Sequence, residues 1–411
     1  MSKSTFFTGQ PVFNQLLSLI PRSVVERISK KHNANRYCKH FMSYDHLVTM
    51  LYGCFFNAGN LREITTGIQA YGLNKINHLG LNQFPRRSTL SDANKRRPAN
   101  FFADLYHELY AIYFVLPDSR PKLNHDEDIF IIDSTTFSLF NSIMRGAGTS
   151  KANGKKKGGV KAHMMISAKH DLPSFVFISE AKEHDLIFLR QLYVPNDSTV
   201  LFDKAYINYR QFIEWGSRGI RWVSRLKRDA HIHDLVNLPV SEESYDKGVR
   251  KDRYVQLGRP SNKKIIPLIK ARIVEYYDSE MNRIFEFITN DFISTPEQIA
   301  DLYKRRWQIE TLFKRIKQRY PLKYFLGDNP NAIMIQIWVA LICDMLVKII
   351  QIAVNKKRIN PWAYSSIAAM IRHHLMSYFN IKDFLINPEK VLKSYSPPSP
   401  QLSLFFLGGS P

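Results

Sequence analysis

The sequence predicts an α/β chain: an all-helical N-terminal domain, then a mixed sheet core, interrupted by a β-rich insertion. Three observations predict it. Up to about residue 120, apolar residues recur at three- and four-residue spacing, the period of helices with one buried face. From about residue 128, short apolar runs alternate with turn signals, the pattern of strands. Between 228 and 290 a polar opening leads to "IKARIVEYY" and "RIFEFITN" around the turn "DSEMN", a hairpin signal. The expected division is a helical domain at 1–120, a first part of the core at 121–227 and the insertion at 228–290. A long helix with the C-terminal helices completes the core at 291–385, and 386–411 form a tail.

The N-terminal helices are "PVFNQLLSLIP", "SYDHLVTMLYGCFF", "NLREITTGIQAYG" and "ANFFADLYHELYAIYF". Between the last two lies "RRSTLSDANKRR", a short helix with basic flanks and Ser88 as its expected N-cap. Its pattern fits a major-groove reader and a solvated surface helix equally. The strands follow as "DIFIIDSTTFSLF", "GVKAHMMISAK", "PSFVFISEA" and "STVLFDKA"; then come the helix "YINYRQFIEWGSRG" and the strand "IRWVSRLK". After the insertion, "STPEQIADLYKRRWQIETLFKRIKQ" opens one long helix. Thr295 is its cap, Pro296 suits the first turn and Glu297 complements the helix dipole.

The 411 residues are 45% apolar and carry a formal net charge of +22. That describes a globular protein facing a polyanion, with nucleic acid the first candidate. A membrane surface is second, but no polybasic amphipathic anchor is present. Cys38, Cys54 and Cys343 are scattered and form no CxxC pair, so neither a zinc ribbon nor a disulfide framework is expected. The N-terminus has no signal-peptide h-region, and a cytoplasmic bacterial protein, nucleoid-associated when bound to DNA, is expected. The window Ala332–Val354 is long enough to cross a bilayer but holds Gln336, Asp344, Lys348 and Gln351, so it reads as a buried helix.

In the long helix each residue turns by about 100°; with Tyr303 at zero, Arg306 falls near about 300°, Glu310 about 340° and Lys317 about 320°. The four share one stripe beside an apolar stripe of Leu302, Ile309, Leu312, Phe313 and Ile316. Alone, such a row also describes a charged surface helix with a weak Arg306–Glu310 pair. Two other acids bear on it. Asp133 ends the apolar run "FII" and Asp203 ends "VLF", and a carboxylate there is costly unless exposed or bound to a cation. Neighbouring strands would bring the two together, and the helix laid across them would add Glu310. Three converging carboxylates suit Mg²⁺, which prefers hard oxygen ligands. Two such ions about 4 Å apart can activate water and stabilise a leaving 3′ oxygen.

The spacing Tyr-x2-Arg-x3-Glu-x6-Lys at Tyr303, Arg306, Glu310 and Lys317 resembles the YREK signature of bacterial DDE insertion-sequence transposases, the insertion-sequence-4-type family. "IIDSTTF" around Asp133 and "LFDKAY" around Asp203 resemble that family's first two acidic motifs, and "GGVKAHMMISAKHDLP" and "EAKEHD" resemble landmarks between them. The resemblance covers nearly the whole chain. It implies a ribonuclease-H-like core interrupted by a β-rich insertion. It implies Asp133, Asp203 and Glu310 as catalytic, metal-binding residues for two Mg²⁺ (or Mn²⁺) ions, and Tyr303, Arg306 and Lys317 as DNA-binding residues on backbone phosphates. It also implies an aromatic side chain from the insertion against a flipped base, with Tyr254, Tyr276 and Tyr277 the candidates.

Other motifs point elsewhere only weakly. "RGAGTSKANGKKKGGVK" (145–161) lacks P-loop spacing and reads as a basic loop, against DNA backbone or as a solvated hairpin tip. His184 and Asp185 read as a helix cap or as accessory groups. No GxSxG, HExxH or strand-linked glycine fingerprint occurs, so no nucleotide cofactor is expected. The expected function is a DNA transposase that binds the terminal inverted repeats of its element, cuts the ends and joins the 3′ hydroxyl to target DNA. Its partners would be double-stranded DNA and, in the DNA complex, a second copy of the chain. The alternatives are a ribonuclease-H-like nuclease without strand transfer and an inactive DNA-binding relic.

Overall fold

The computed structural model describes residues 9–72, 76–115, 128–138, 150–152, 155–157, 159–180, 185–258, 267–322, 325–327 and 329–394. Residues 145–149, 153, 154 and 158 of the basic loop, together with His184, the side chain of Asp185 and most of the tail, lie outside the described residues. The chain divides into two compact units, one formed by Met1–Leu109 with Tyr324–Pro411 and the other by Tyr110–Lys323.

The first unit begins with α1 (Val12–Leu17), α2 (Arg22–Lys31), α3 (Ser43–Phe56), α4 (Leu61–Gln69), α5 (Arg87–Arg96) and most of α6 (Ala99–Phe114), whose residues from Tyr110 on belong to the second. The apolar period expected from sequence is what these helices bury: Val24, Val25 and Ile28 in α2, and Ile64 and Ile68 in α4. Asn60 caps α4, its side chain accepting from the Glu63 amide at 2.9 Å. A glycine at position 53 lets α4 approach closely, since a Cβ there would collide with the Ile64 side chain. In α5 the cap differs from expectation. The Leu90 amide bonds to the Arg86 carbonyl at 2.9 Å, so the first turn closes from Arg86 and Ser88 lies inside it, exposed.

The second unit is built on β1 (Ile129–Ser138), β4 (Gly159–Ser167), β5 (Leu172–Glu180), β6 (Thr199–Phe202) and β7 (Arg221–Arg225). A small ladder, β2 (Ser150–Ala152) with β3 (Lys155–Lys157), stands apart from them. Helices α7 (Asp185–Gln191) and α8 (Tyr209–Ser217) fall between strands. The residues after β7 give β8 (Ile232–Leu238), α9 (Glu242–Asp246), β9 (Val249–Leu257), β10 (Ile269–Asp278) and β11 (Arg283–Thr289). These do not form a sheet of their own. The described strands make one nine-stranded sheet in the order β5-β4-β1-β6-β7-β11-β10-β9-β8. The strands β1, β6 and β7 are parallel, and every other neighbouring pair in that sheet is antiparallel. Phe130, Ile132, Val200, Phe202 and Trp222 supply one core face, packed on Phe188, Phe212 and Trp215 of α7 and α8. The Phe212 and Trp222 rings stack at 4.2 Å between centroids. Arg272 and Asp252 join β10 to β9 through two buried hydrogen bonds of 2.8 and 2.6 Å.

The expected single helix after the insertion is two, α10 (Pro296–Lys304) and α11 (Trp307–Arg319). Thr295 caps α10 as expected from its sequence, in a capping box with Gln298. The amides of Arg305, Arg306, Gln308 and Ile309 bond to carbonyls three residues back, a 3₁₀ tightening that interrupts the α-helical ladder.

The chain then returns to the first unit with α12 (Pro330–Asn355), α13 (Tyr364–His373), α14 (Ile381–Ile386) and α15 (Pro388–Ser394). The sequence placed residues up to 385 with the sheet; the structure places those beyond 324 with the N-terminal helices. The reason lies in α12, which is apolar on all sides and needs cover all round. It is long and apolar enough to cross a membrane, but 83% of its apolar window is buried. Its contacts include α3, α5, α13 and α14. Its polar groups are satisfied inside: Tyr364 donates to the Asp344 carboxylate at 2.7 Å, and the Gln336 side-chain oxygen accepts from the Leu326 amide at 2.8 Å.

Candidate active site

The site grows from the register of three parallel strands. Ile132 of β1 lies opposite Phe202, the last residue of β6, so Asp133, the next residue of β1, is level with Asp203, the residue that follows β6. Because side chains alternate, Ile132 enters the core under α7 and α8 while Asp133 turns to the other face. That is the side on which α11 meets β1. Asp203 also caps a 3₁₀ turn, Lys204–Tyr206, by accepting from the Ala205 amide at 3.2 Å. Leu201 lies opposite Val223, so the third strand, β7, ends at the same level with Arg225. Arg225 donates from Nη2 to Asp203 Oδ2 at 2.6 Å.

The break between α10 and α11 supplies the rest. Arg306 sits in it, buried. Its guanidinium donates from Nη1 to Asp133 Oδ2 at 3.1 Å and from Nη2 to Glu310 Oε1 at 2.6 Å. One side chain therefore spans the first and third acids. Farther along α11, Arg315 donates to the Asp171 carboxylate and, at 2.9 Å, to its carbonyl, fixing that end of the helix to the β4–β5 turn.

Electrostatics follow the geometry. Burial pushes the Asp133 carboxyl up to about 6; the nearby Asp203 and Glu310 charges push the same way, against the Ser134 amide and Arg306. Burial also raises the Tyr303 phenol, which packs on Phe287 at 4.8 Å between ring centroids. Burial holds the Lys317 ammonium below its usual range, 5.4 Å from the centre of the Phe137 ring.

The structure thus brings Arg306 and Glu310 to Asp133, and sets Asp203 beside them. Tyr303 and Arg306 are buried rather than displayed, so the four-residue row is not a solvent-facing stripe. Its angular reading assumed one continuous helix, which the 3₁₀ break disrupts. Among the described residues no three acid, histidine or cysteine side chains are gathered closely enough to hold an ion as they stand. Arginines occupy the gaps. The tyrosines of the inserted strands make local contacts: Tyr254 edges onto Phe292, Tyr276 lies by Lys304 and Tyr277 donates to Asn282. Arg225 was missed in the sequence: Ser224 precedes it, so no apolar run leads directly into it as one does into Asp133 and Asp203.

Residues 124–346, more than half of the chain, match the transposase DDE domain. The chain belongs to that family. All three acids lie within the matched span, and residues 8–82 match a domain of unknown function, DUF4372. A protein of Sinorhizobium fredii described as a transposase, y4zB, is 29% identical over 266 residues, 64% of this chain and 71% of that protein. A protein of Geobacillus stearothermophilus described as a transposase for insertion sequence element IS5377 is 27% identical, over 56% of this chain and 58% of that one. Among solved structures, a piggyBac transposase synaptic complex with hairpin DNA aligns over 93% of this chain and 82% of that one, at 11% identity and a TM-score of 0.47.

Proposed function

We propose that this member of the DDE transposase family is a cut-and-paste transposase of the YREK group, with Asp133, Asp203 and Glu310 as its catalytic acids. The observation that carries the reading is the level alignment of Asp133 and Asp203 on adjacent parallel strands, with Arg306 drawing Glu310 to Asp133. The five-strand order β5-β4-β1-β6-β7 also supports the ribonuclease-H-like core that this reading requires. The helical unit would bind the inverted repeats at the element ends. The site would hydrolyse the phosphodiester at the end and then direct the freed 3′ hydroxyl at target DNA. Synapsis of two ends calls for a second copy of the chain.

The donor set fits divalent metal. All three groups are hard oxygen ligands, and the upward push on Asp133 reflects buried, crowded negative charge that a cation would relieve. Asp133, Asp203 and Glu310 would hold Mg²⁺ or Mn²⁺, which would supply an activated water and charge stabilisation at the leaving oxygen. Arg306 and Arg225 meanwhile keep the carboxylates from repelling one another. Arg306, Tyr303 and Lys317 would hold phosphates, Arg306 by exchanging a carboxylate partner for a phosphate oxygen.

The test is cleavage of labelled element-end DNA with Mg²⁺ or Mn²⁺ by the wild type and by Glu310→Gln. The wild type should cut at the element boundary while Glu310→Gln binds without cutting, a loss of at least a hundredfold. Equal cutting removes Glu310 from the catalytic set. Cutting without joining to a second DNA supports the nuclease alternative, and binding without cutting by both proteins supports the inactive relic.

A further inference from the structure

Apart from the acids, the helical unit contains a concavity of about 830 Å³ between the 32–41 loop, the segment before α5 and α5 itself. Arg36, Tyr37, Lys39, Arg86, Arg96 and Arg97 line it. Asp92 is the one acid among its lining residues, and it is already paired with Arg96. The concavity is therefore a concentrated positive field with little internal neutralisation.

Two features show that it is built rather than incidental. Arg97 is 4% exposed and ties the loop to the end of α5. Its Nε donates to the Ala34 carbonyl at 2.9 Å, and its Nη2 donates to the Phe41 carbonyl at 2.9 Å and to Cys38 Sγ at 3.3 Å. Its Nη1 is buried with no hydrogen-bond partner, an uncompensated donor in a positively charged region. Tyr37 is held at φ +59° and is 80% exposed. A bulky residue in the left-handed region is strained, and a ring left in water recovers none of that strain by burial. Arg36 braces the ring: its guanidinium carbon lies 4.8 Å from the ring centre, and Nη2 donates to the hydroxyl at 2.9 Å.

A small inorganic anion would use the cations but has no use for a braced, exposed aromatic face. A nucleic-acid strand uses both, with phosphates on arginine and a base on the ring. We propose that this concavity seats a DNA strand, with phosphates on Arg36 and Arg86 and one unstacked base against Tyr37. The proposal rests on the reading of the chain as a DNA-acting enzyme and locates where the helical unit grips its substrate.

The experiment is fluorescence anisotropy of the full chain with a labelled element-end duplex bearing a single-stranded tail, across a salt series. Arg36→Ala/Arg86→Ala should weaken binding at least tenfold and flatten the log K against log salt slope by about 1.4, the release of two phosphate contacts on a single strand. Tyr37→Ala should weaken it about fivefold or more with the slope unchanged, and Tyr37→Phe should restore it. A charge-matched control on the same unit, Lys356→Ala/Lys357→Ala, should stay within twofold. The proposal is overturned if the double arginine variant loses no more than this control, or if Tyr37→Ala matches wild type. It is also overturned if a labelled nucleoside triphosphate needs Arg36 and Arg86 while DNA binding does not, since the pocket then serves a free nucleotide. Cleavage by wild type and Glu310→Gln, run alongside, reports on the catalytic acids whichever way the pocket result falls.

Discussion

Arg306 holds two carboxylates with one guanidinium, and its removal leaves Asp133 and Glu310 with uncompensated negative charge. Arg306→Ala should cost about 2 kcal/mol, less than a fully buried pair because Glu310 is partly exposed. Urea unfolding of the sheet unit within the full chain would measure it, and Arg306→Lys should recover less than half, lacking the planar fork. His46 gives a second expectation. Burial holds its imidazole down to about 3, and Arg97 adds to the effect, while the ring bonds to Asn94 at 2.8 Å. The folded chain keeps this ring neutral, but the unfolded chain takes up a proton below about 6.5. Stability should therefore fall by about 1.4 kcal/mol per pH unit from about 6.5 down towards 3 through this group alone. Urea midpoints between neutral and mildly acidic pH should show that slope, and His46→Gln should reduce it. The aspartates could be read in the sequence because an acid ending an apolar run is unusual. Arg225 carries no such signal: Ser224 precedes it, and one arginine among 58 basic residues does not stand out.

Thr295→Ala should lose the capping box of α10 and cost about 1 kcal/mol, seen as a lower thermal midpoint with an unchanged fold. That cap was readable because Thr295, Pro296 and Glu297 act through local chemistry; Gln298, which completes the capping box, was not singled out. The break ten residues later was not. "YKRRWQIE" contains no glycine or proline, and its helical period runs on without interruption. What accompanies the 3₁₀ turn is tertiary: Arg306 is engaged with an acid on β1 that is 173 residues away in sequence. The inserted hairpin was equally plain, since β10 and β11 alternate around a turn. Which strand they would join was not, because alternation specifies a face and not a partner.

The whole chain combines a +22 charge with a helical unit assembled from both ends of the sequence. Composition predicted the polyanion partner, and the texture change near residue 128 marked where strands begin. The return of α12 to the first unit lay beyond such reading. An all-round apolar helix declares that it will be buried but not by which neighbours. The seam between β7 and β11 has a consequence of its own. Arg225, which holds Asp203, pairs in register with Phe287 on β11, whose ring packs on Tyr303. The inserted strands are thus stitched to the sheet that carries Asp133 and Asp203 and cannot swing over it as a hinged flap. The free margin lies three strands farther out, at β8. Hairpins gained or lost along that margin would let such sheets vary in breadth between relatives while the inner seam, and the acid it steadies, keeps its alignment.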